Sequence, residues 1–175
     1  MNLRKTHGIV VVLLTCIQVS ACSAGDPTHG EVSASIAEQD YHGVTLAPVG
    51  ERQSSATFMQ MGGMTLVNIQ AHDLETGGMM DNVLALSLTL SGGNASAQVQ
   101  SAEISYWPEG MAAPFYISSA GNVSVDIERF EVGNEGYAQG TFRGQICYQK
   151  SMFSAADKGD CRAIEGQFRT ALVAQ

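Results

Sequence analysis

Three methionines and one histidine have the most distinctive chemistry in this sequence. Met59, Met61 and Met64 lie in the segment FMQMGGM, and His72 follows further along the chain. Thioether sulfur and imidazole nitrogen are ligands that suit Cu(I), because this ion is soft. Methionine also fills cores and sheet edges, and Met59 and Met61 share one side of a predicted strand. The pattern therefore predicts either packing in the core or at a sheet edge, or a site for Cu(I) or Ag(I).

Residue patterns of common hydrolases are missing from the sequence. There is no GxSxG segment, which marks the nucleophile of many hydrolases. The acids Asp73, Glu75 and Asp81 offer oxygen ligands, but their spacing matches no known calcium loop. Any two of the 17 acidic residues could meet in space, so no catalytic carboxylate pair can be named. We therefore expect no catalytic activity and no resident cofactor.

The N-terminus has the organisation of an export signal. Arg4 and Lys5 are followed by the apolar run GIVVVLLTCI and then by small and polar residues. The apolar run is about half the roughly 20 residues that a membrane-spanning helix requires. An export signal is therefore favoured over a permanent membrane helix.

The next residues carry a resemblance to a known class of proteins. Val19-Ser20-Ala21-Cys22 resembles the lipobox of bacterial prolipoproteins. The resemblance implies cleavage after residue 21 and attachment of lipid to Cys22, which anchors the chain to a membrane. Ser23 follows the cysteine, which in such proteins implies an outer-membrane location facing the periplasm. Exported copper-handling proteins of that compartment carry similar methionine runs. The rest of the chain resembles only uncharacterised β-rich exported bacterial proteins, and this likeness implies no activity.

The remaining cysteines predict one disulfide. Cys16 is lost with the signal and Cys22 carries lipid, so Cys147 and Cys161 remain. Two thiols in an oxidising compartment indicate a disulfide. It would close a loop of 15 residues, CYQKSMFSAADKGDC. A loop of this size is stabilised by about 3 kcal/mol in the chain-entropy model.

The charge of the processed chain is strongly negative. Residues 22–175 hold 7 basic and 17 acidic residues, which disfavours nucleic acid and anionic membrane surfaces as partners. No Lys or Arg occurs between Arg52 and Arg129, although seven acids do: Asp73, Glu75, Asp81, Glu103, Glu109, Asp126 and Glu128. If these acids share a face, a basic protein would be attracted to it. The alternative is an acidic surface that only keeps the protein soluble.

Alternating hydrophobicity predicts a mostly β fold. Short alternating runs are separated by turn segments rich in Gly and Asn, such as GGN, AGN and GNEG. We expect an antiparallel β-sandwich, with a small β-barrel as the alternative. The predicted organisation is a signal at residues 1–21, the lipidated cysteine and a tether at 22–30, and one β domain at 31–175. The aromatic residues Tyr106, Trp107, Phe115 and Tyr116 are expected to plug one end of the core, or else to form a recognition surface.

One register is predicted for a C-terminal hairpin formed by QGTFRGQIC and EGQFRTALV. If Cys147 faces Cys161, large side chains cover glycines and opposite charges face each other. The predicted pairs are Phe142 with Gly166, Phe168 with Gly140, Ile164 with Gly144, and Arg143 with Glu165. The disulfide then lies on the polar face, and the core face carries Phe142, Ile146, Ile164, Phe168 and Leu172.

Together these features predict a lipid-anchored module that faces the periplasm and has a non-catalytic binding or structural role. Two alternatives remain open. The first is an immunity or inhibitor lipoprotein that blocks a basic toxin or hydrolase. The second is a periplasmic Cu(I)- or Ag(I)-binding protein.

Overall fold

A computed structural model describes residues 28–75, 78–133, 136–151 and 153–175. The predicted signal segment, the lipobox and the lipidation residue Cys22 lie outside these ranges. Their interpretation therefore rests on the sequence.

The described chain is almost entirely β structure and mainly antiparallel, as predicted. A short 3-10 helix, Asn94–Ser96, is its one helical element. The strands within the described ranges are β1 Thr28–Ile36, β2 Gln39–Leu46, β3 Ala56–Met61, β4 Met64–His72, β5 Val83–Ser91, β6 Gln98–Trp107, β7 Phe115–Glu131, β8 Gly136–Gln149 and β9 Asp157–Ala174.

The strands form one sheet that closes on itself. Pairing runs from β1 through β2, β4, β5, β6, β7, β8 and β9, and β9 pairs again with β1. β3 pairs with β4 and makes a short parallel contact with β9, where Thr57 faces Val173. This closed pairing makes the fold a small β-barrel, which was the alternative to the β-sandwich expected from the sequence.

Period-2 alternation places the core inside the closed sheet. Leu84, Leu86, Leu88 and Leu90 of β5 all point inward and are at most 2% exposed. The interior also holds polar groups that bond to each other. The hydroxyls of Thr45 and Thr170, for example, share a buried hydrogen bond of 2.7 Å.

The predicted register of the C-terminal hairpin is confirmed. All predicted pairs of β8 and β9 face each other, including Cys147 with Cys161, which form a disulfide. The predicted core-face residues are buried: Phe142, Ile146, Ile164, Phe168 and Leu172.

The disulfide lies on the face opposite the core face, as predicted. Cys147 alternates with the inward-facing Phe142 and Ile146 and shares its face with the exposed Arg143. Cys161 is exposed, but Cys147 is only 3% exposed, because β7 flanks β8 here and pairs Ile117 with Cys147.

The start of the β domain also differs. β1 begins at Thr28, because Thr28 pairs with Leu46 and Gly30 pairs with both Thr45 and Thr170. The last three residues of the predicted tether therefore belong to the first strand.

Candidate functional site: the opening between β6 and β7

The closed sheet opens along one seam. Among the described residues, β6 pairs with β7 only at Ser105 with Ile117 and at Tyr106 with Tyr116. Ser118 continues the contact, since its hydroxyl accepts a hydrogen bond of 2.9 Å from the backbone N–H of Ile104. Beyond this point β6 pairs with β5 on one side, and β7 pairs with β8 on the other.

The far end of the seam is held by the short helix. The backbone N–H of Val132 donates a hydrogen bond of 3.0 Å to the Asn94 side-chain oxygen. The opening is therefore closed at one end by the contact of Ser118 with Ile104 and at the other by the contact of Val132 with Asn94. The facing edges of β6 and β7 lie between these two contacts.

An irregularity in β7 accounts for the opening. Ser118 faces Ile146 and Val123 faces Gly144, so four residues of β7 lie opposite one residue of β8. An insertion of this kind bends a strand away from its neighbour. Gly121, within the insertion, has φ of +81°, a conformation that favours glycine. A side chain at Gly144 would collide with β7, because its Cβ would lie 2.5 Å from the Asn122 carbonyl oxygen.

The opening contains a cleft of about 750 Å³ with an apolar floor and a polar rim. Glu103 is the only ionisable residue among the described residues that line it, so it holds no Lys or Arg. The apolar lining residues are Leu66, Leu88, Val99, Ala102, Val123 and Val125. Val123 and Val125 alternate like the leucines of β5 but are only half-buried, because the sheet is open beside them.

The seven acids between Arg52 and Arg129 do not form one face. Asp73 is buried and accepts a hydrogen bond of 2.6 Å from the Asn82 side-chain nitrogen, so it has a structural role. Glu103, Asp126 and Glu128 are instead exposed residues of the two strands that border the opening. Glu103 lines the cleft, whereas Glu128 accepts a hydrogen bond of 2.8 Å from the Gln139 side chain of β8 and borders a different cleft.

Tyr106 and Tyr116 of the predicted aromatic set pack with Tyr41 and Tyr148 at the end of the barrel where β6 leads into β7. Ring centroids lie 6.1 Å apart for Tyr41 and Tyr106, 6.3 Å for Tyr106 and Tyr116, and 6.1 Å for Tyr116 and Tyr148. Arg162 covers the Tyr116 ring at 4.0 Å. Burial raises the pKa of Tyr41 and of Tyr106, so these phenols stay neutral.

The predicted metal ligands do not all meet. Met61 faces Met64 across the tight turn between β3 and β4, and both are exposed, with Met59 on the same face. Core packing therefore does not describe Met61 and Met64. His72 lies at the other end of β4, roughly 26 Å from Met64 at the usual rise per residue of a strand.

Comparison of the sequence with protein-family models, with curated proteins and with solved structures gives no match. Within the described ranges, no three His, Cys, Asp or Glu side chains lie close enough to hold a metal ion. The same part of the chain has no helix long and apolar enough to cross a membrane. What the molecule can bind therefore has to follow from its own residues.

Sequence reasoning missed the opening between β6 and β7, although a signal for it exists. Inward-facing positions of β7 are even-numbered at Tyr116 and Ser118, but odd-numbered at Val123 and Val125. Such a change of phase, with Gly121 between the two parts, indicates a bulge.

Proposed function

We propose that this protein is a lipid-anchored lipoprotein of the bacterial envelope whose β domain is a non-catalytic binding module. The cleft between β6 and β7 holds an extended, positively charged segment of a protein partner. The opening of the sheet along this seam is the observation that carries the proposal.

The facing edges of β6 and β7, which among the described residues form no ladder pairs beyond Ser105 and Tyr106, support a polypeptide ligand. Backbone N–H and C=O groups at a free edge pair readily with an added strand. A strand added along residues 98–103 of β6 would turn alternate side chains toward Val99, Ala102 and Val125, which form the apolar floor. Its other side chains would face the rim. The cleft therefore suits a segment in which apolar and polar residues alternate.

The negative charge at the cleft favours segments that carry basic side chains. Glu103 lines the cleft, and Asp126 and Glu128 are the next outward residues of β7. Basic side chains on the outward face of an added strand would lie near the Glu103 carboxylate. Complementary charge mainly accelerates association and rejects wrong partners. An acidic segment would be repelled.

A peptide-binding measurement on the full chain in detergent tests this proposal. An octapeptide of alternating Val and Lys should bind and should slow amide hydrogen exchange in residues 98–103. The same peptide with Glu in place of Lys should not bind. Glu103→Gln should weaken binding, whereas Glu165→Gln, on the outer face of β9, should not. Equal binding of both peptides, or no protection of β6, would contradict a site of this kind.

A more specific version of this function is an immunity or inhibitor lipoprotein. It is favoured by the position of three exposed acids, Glu103, Asp126 and Glu128, on the strands that border the opening. In that case the basic partner is a toxin or hydrolase whose activity is blocked. Site-specific photocrosslinking from Ser101 in cells would identify the partner. Inhibition of its activity by the wild type, and not by a Glu103→Lys variant, would distinguish inhibition from a structural role.

The anchor is supported by the match of Val19-Ser20-Ala21-Cys22 to a lipobox. Replacing Cys22 with Ser should abolish palmitate labelling and stop signal cleavage, since the thiol that accepts lipid is lost. A wild-type chain that takes up no label, together with normal processing of the variant, would show that Cys22 is not lipidated.

A further inference from the structure

His72, Met79 and Met80 line a second cleft, of about 410 Å³. His72 is the last residue of β4, and both methionines belong to the loop before β5. Met79 and Met80 are 42% and 55% exposed, so solutes can reach them. The cleft thus brings one imidazole and two thioethers to a common, accessible space.

The orientation of the His72 ring is set by the backbone. Nδ1 lies 2.7 Å from the carbonyl oxygen of Met79. Since a carbonyl oxygen only accepts hydrogen bonds, Nδ1 carries the proton and Nε2 keeps its lone pair. Metal-binding histidines are commonly oriented in this way by a carbonyl group.

The charges of the other residues that line this cleft favour a monovalent ion over a divalent one. Among the described residues, no carboxylate side chain lines it, and Arg52 is the only charged side chain that does. Hard divalent ions such as Ca²⁺ and Mg²⁺ are usually held by carboxylate side chains, and the described residues around this cleft supply only neutral hydroxyl and amide oxygens. A nearby guanidinium also repels a divalent ion more strongly than a monovalent one. Imidazole and thioether ligands suit soft monovalent ions.

We propose that His72 Nε2 and the thioethers of Met79 and Met80 bind Cu(I) or Ag(I) in this cleft. The site shares His72 with the set predicted from the sequence and replaces Met59, Met61 and Met64. This change follows from the fold. Met64 and His72 lie at opposite ends of β4, whereas the loop before β5 brings Met79 next to His72. The proposal is independent of the peptide-binding cleft, which has a different lining.

Competition with a chromogenic chelator tests the site. The full chain, purified in detergent under reducing conditions, is titrated with Cu(I) in the presence of bicinchoninate, and separately with Ag(I). One ion should bind per chain. His72→Gln keeps an N–H that can donate to the Met79 carbonyl but removes the imidazole ligand, so affinity should fall at least about tenfold. The pair Met79→Leu and Met80→Leu conserves side-chain volume and should have a similar effect.

The matched control replaces the three methionines that the sequence pattern had suggested as ligands. Met59→Leu, Met61→Leu and Met64→Leu together should leave the affinity unchanged. In the wild type, Ag(I) should shift the methyl NMR signals of Met79 and Met80 and leave those of Met61 and Met64 in place. Near-UV circular dichroism checks that each variant is folded. The proposal is overturned if the wild type fails to compete with the chelator. It is also overturned if folded Met79/Met80 variants bind as tightly as the wild type, or if the control triple variant loses binding instead.

Discussion

The ring of Phe142 occupies the space beside Gly166, the residue that it faces across the C-terminal hairpin. A Cβ at position 166 would lie 2.6 Å from the ring atom Cζ of Phe142. The same Cβ would lie 2.4 Å from the Ser33 carbonyl oxygen of β1. Gly166 therefore allows both the aromatic packing within the hairpin and the close approach of β1 that closes the sheet.

Gly166→Ala should destabilise the protein by about 1 to 3 kcal/mol, because the added methyl group meets backbone atoms that cannot move independently. The control is Gly93→Ala, where nothing lies within 4 Å of the added Cβ. That variant should stay within about 0.5 kcal/mol of the wild type. Urea unfolding measures both. Equal stability of the two variants would mean that Gly166 is not needed for space.

Phe168→Ala should cost about 3 to 5 kcal/mol, as for a buried aromatic residue. Phe168 is 2% exposed and stacks with Phe142 at a centroid distance of 6.5 Å. Arg143→Ala, on the exposed face of the same hairpin, should cost well under about 1 kcal/mol. The free energies of unfolding of the two variants check this contrast. A large loss for Arg143→Ala would show that the outer face of the hairpin contributes more than surface charge.

Tyr41→Phe should cost about 1 to 3 kcal/mol, because it leaves buried backbone groups without a partner. The Tyr41 hydroxyl donates a hydrogen bond of 2.7 Å to the Ala71 carbonyl and accepts one of 3.3 Å from the Leu84 N–H. Hydrogen exchange of the Leu84 amide should accelerate in the variant. An unchanged exchange rate would argue that water replaces the hydroxyl.

The protein should lose stability as the pH falls below about 6.5, the ordinary pKa of histidine. Burial lowers the pKa of His72 in the folded state, so the unfolded chain binds more protons in this range, and stability rises with pH. The contribution is complete above the unfolded pKa and is lost as the pH falls toward the folded one. Urea unfolding at pH 7.5 and 5.5 should show a smaller loss for His72→Gln than for the wild type. Equal losses would assign the pH dependence to other groups.

The register of the last hairpin could be predicted from the sequence alone. Cys147 and Cys161, the glycines opposite Phe142 and Phe168, and one buried face all agree on a single alignment. A shift by one residue would turn every core side chain outward, so a strand with one buried face has little freedom. The alternation of Leu84 to Leu90 determined the inward face of β5 for the same reason.

The pairing of strands that lie far apart in the chain could not be predicted from the sequence. Period-2 alternation tells which side chains share a face, but it carries no information on which strands are neighbours. The closure of β1 onto β9, and the separation of β6 from β7 that creates the cleft, depend on contacts between segments far apart in the chain. The ligand set that we propose around His72 depends on the tertiary structure in the same way. A loop conformation, and not sequence spacing, brings Met79 to the imidazole and leaves Met64 at the far end of β4.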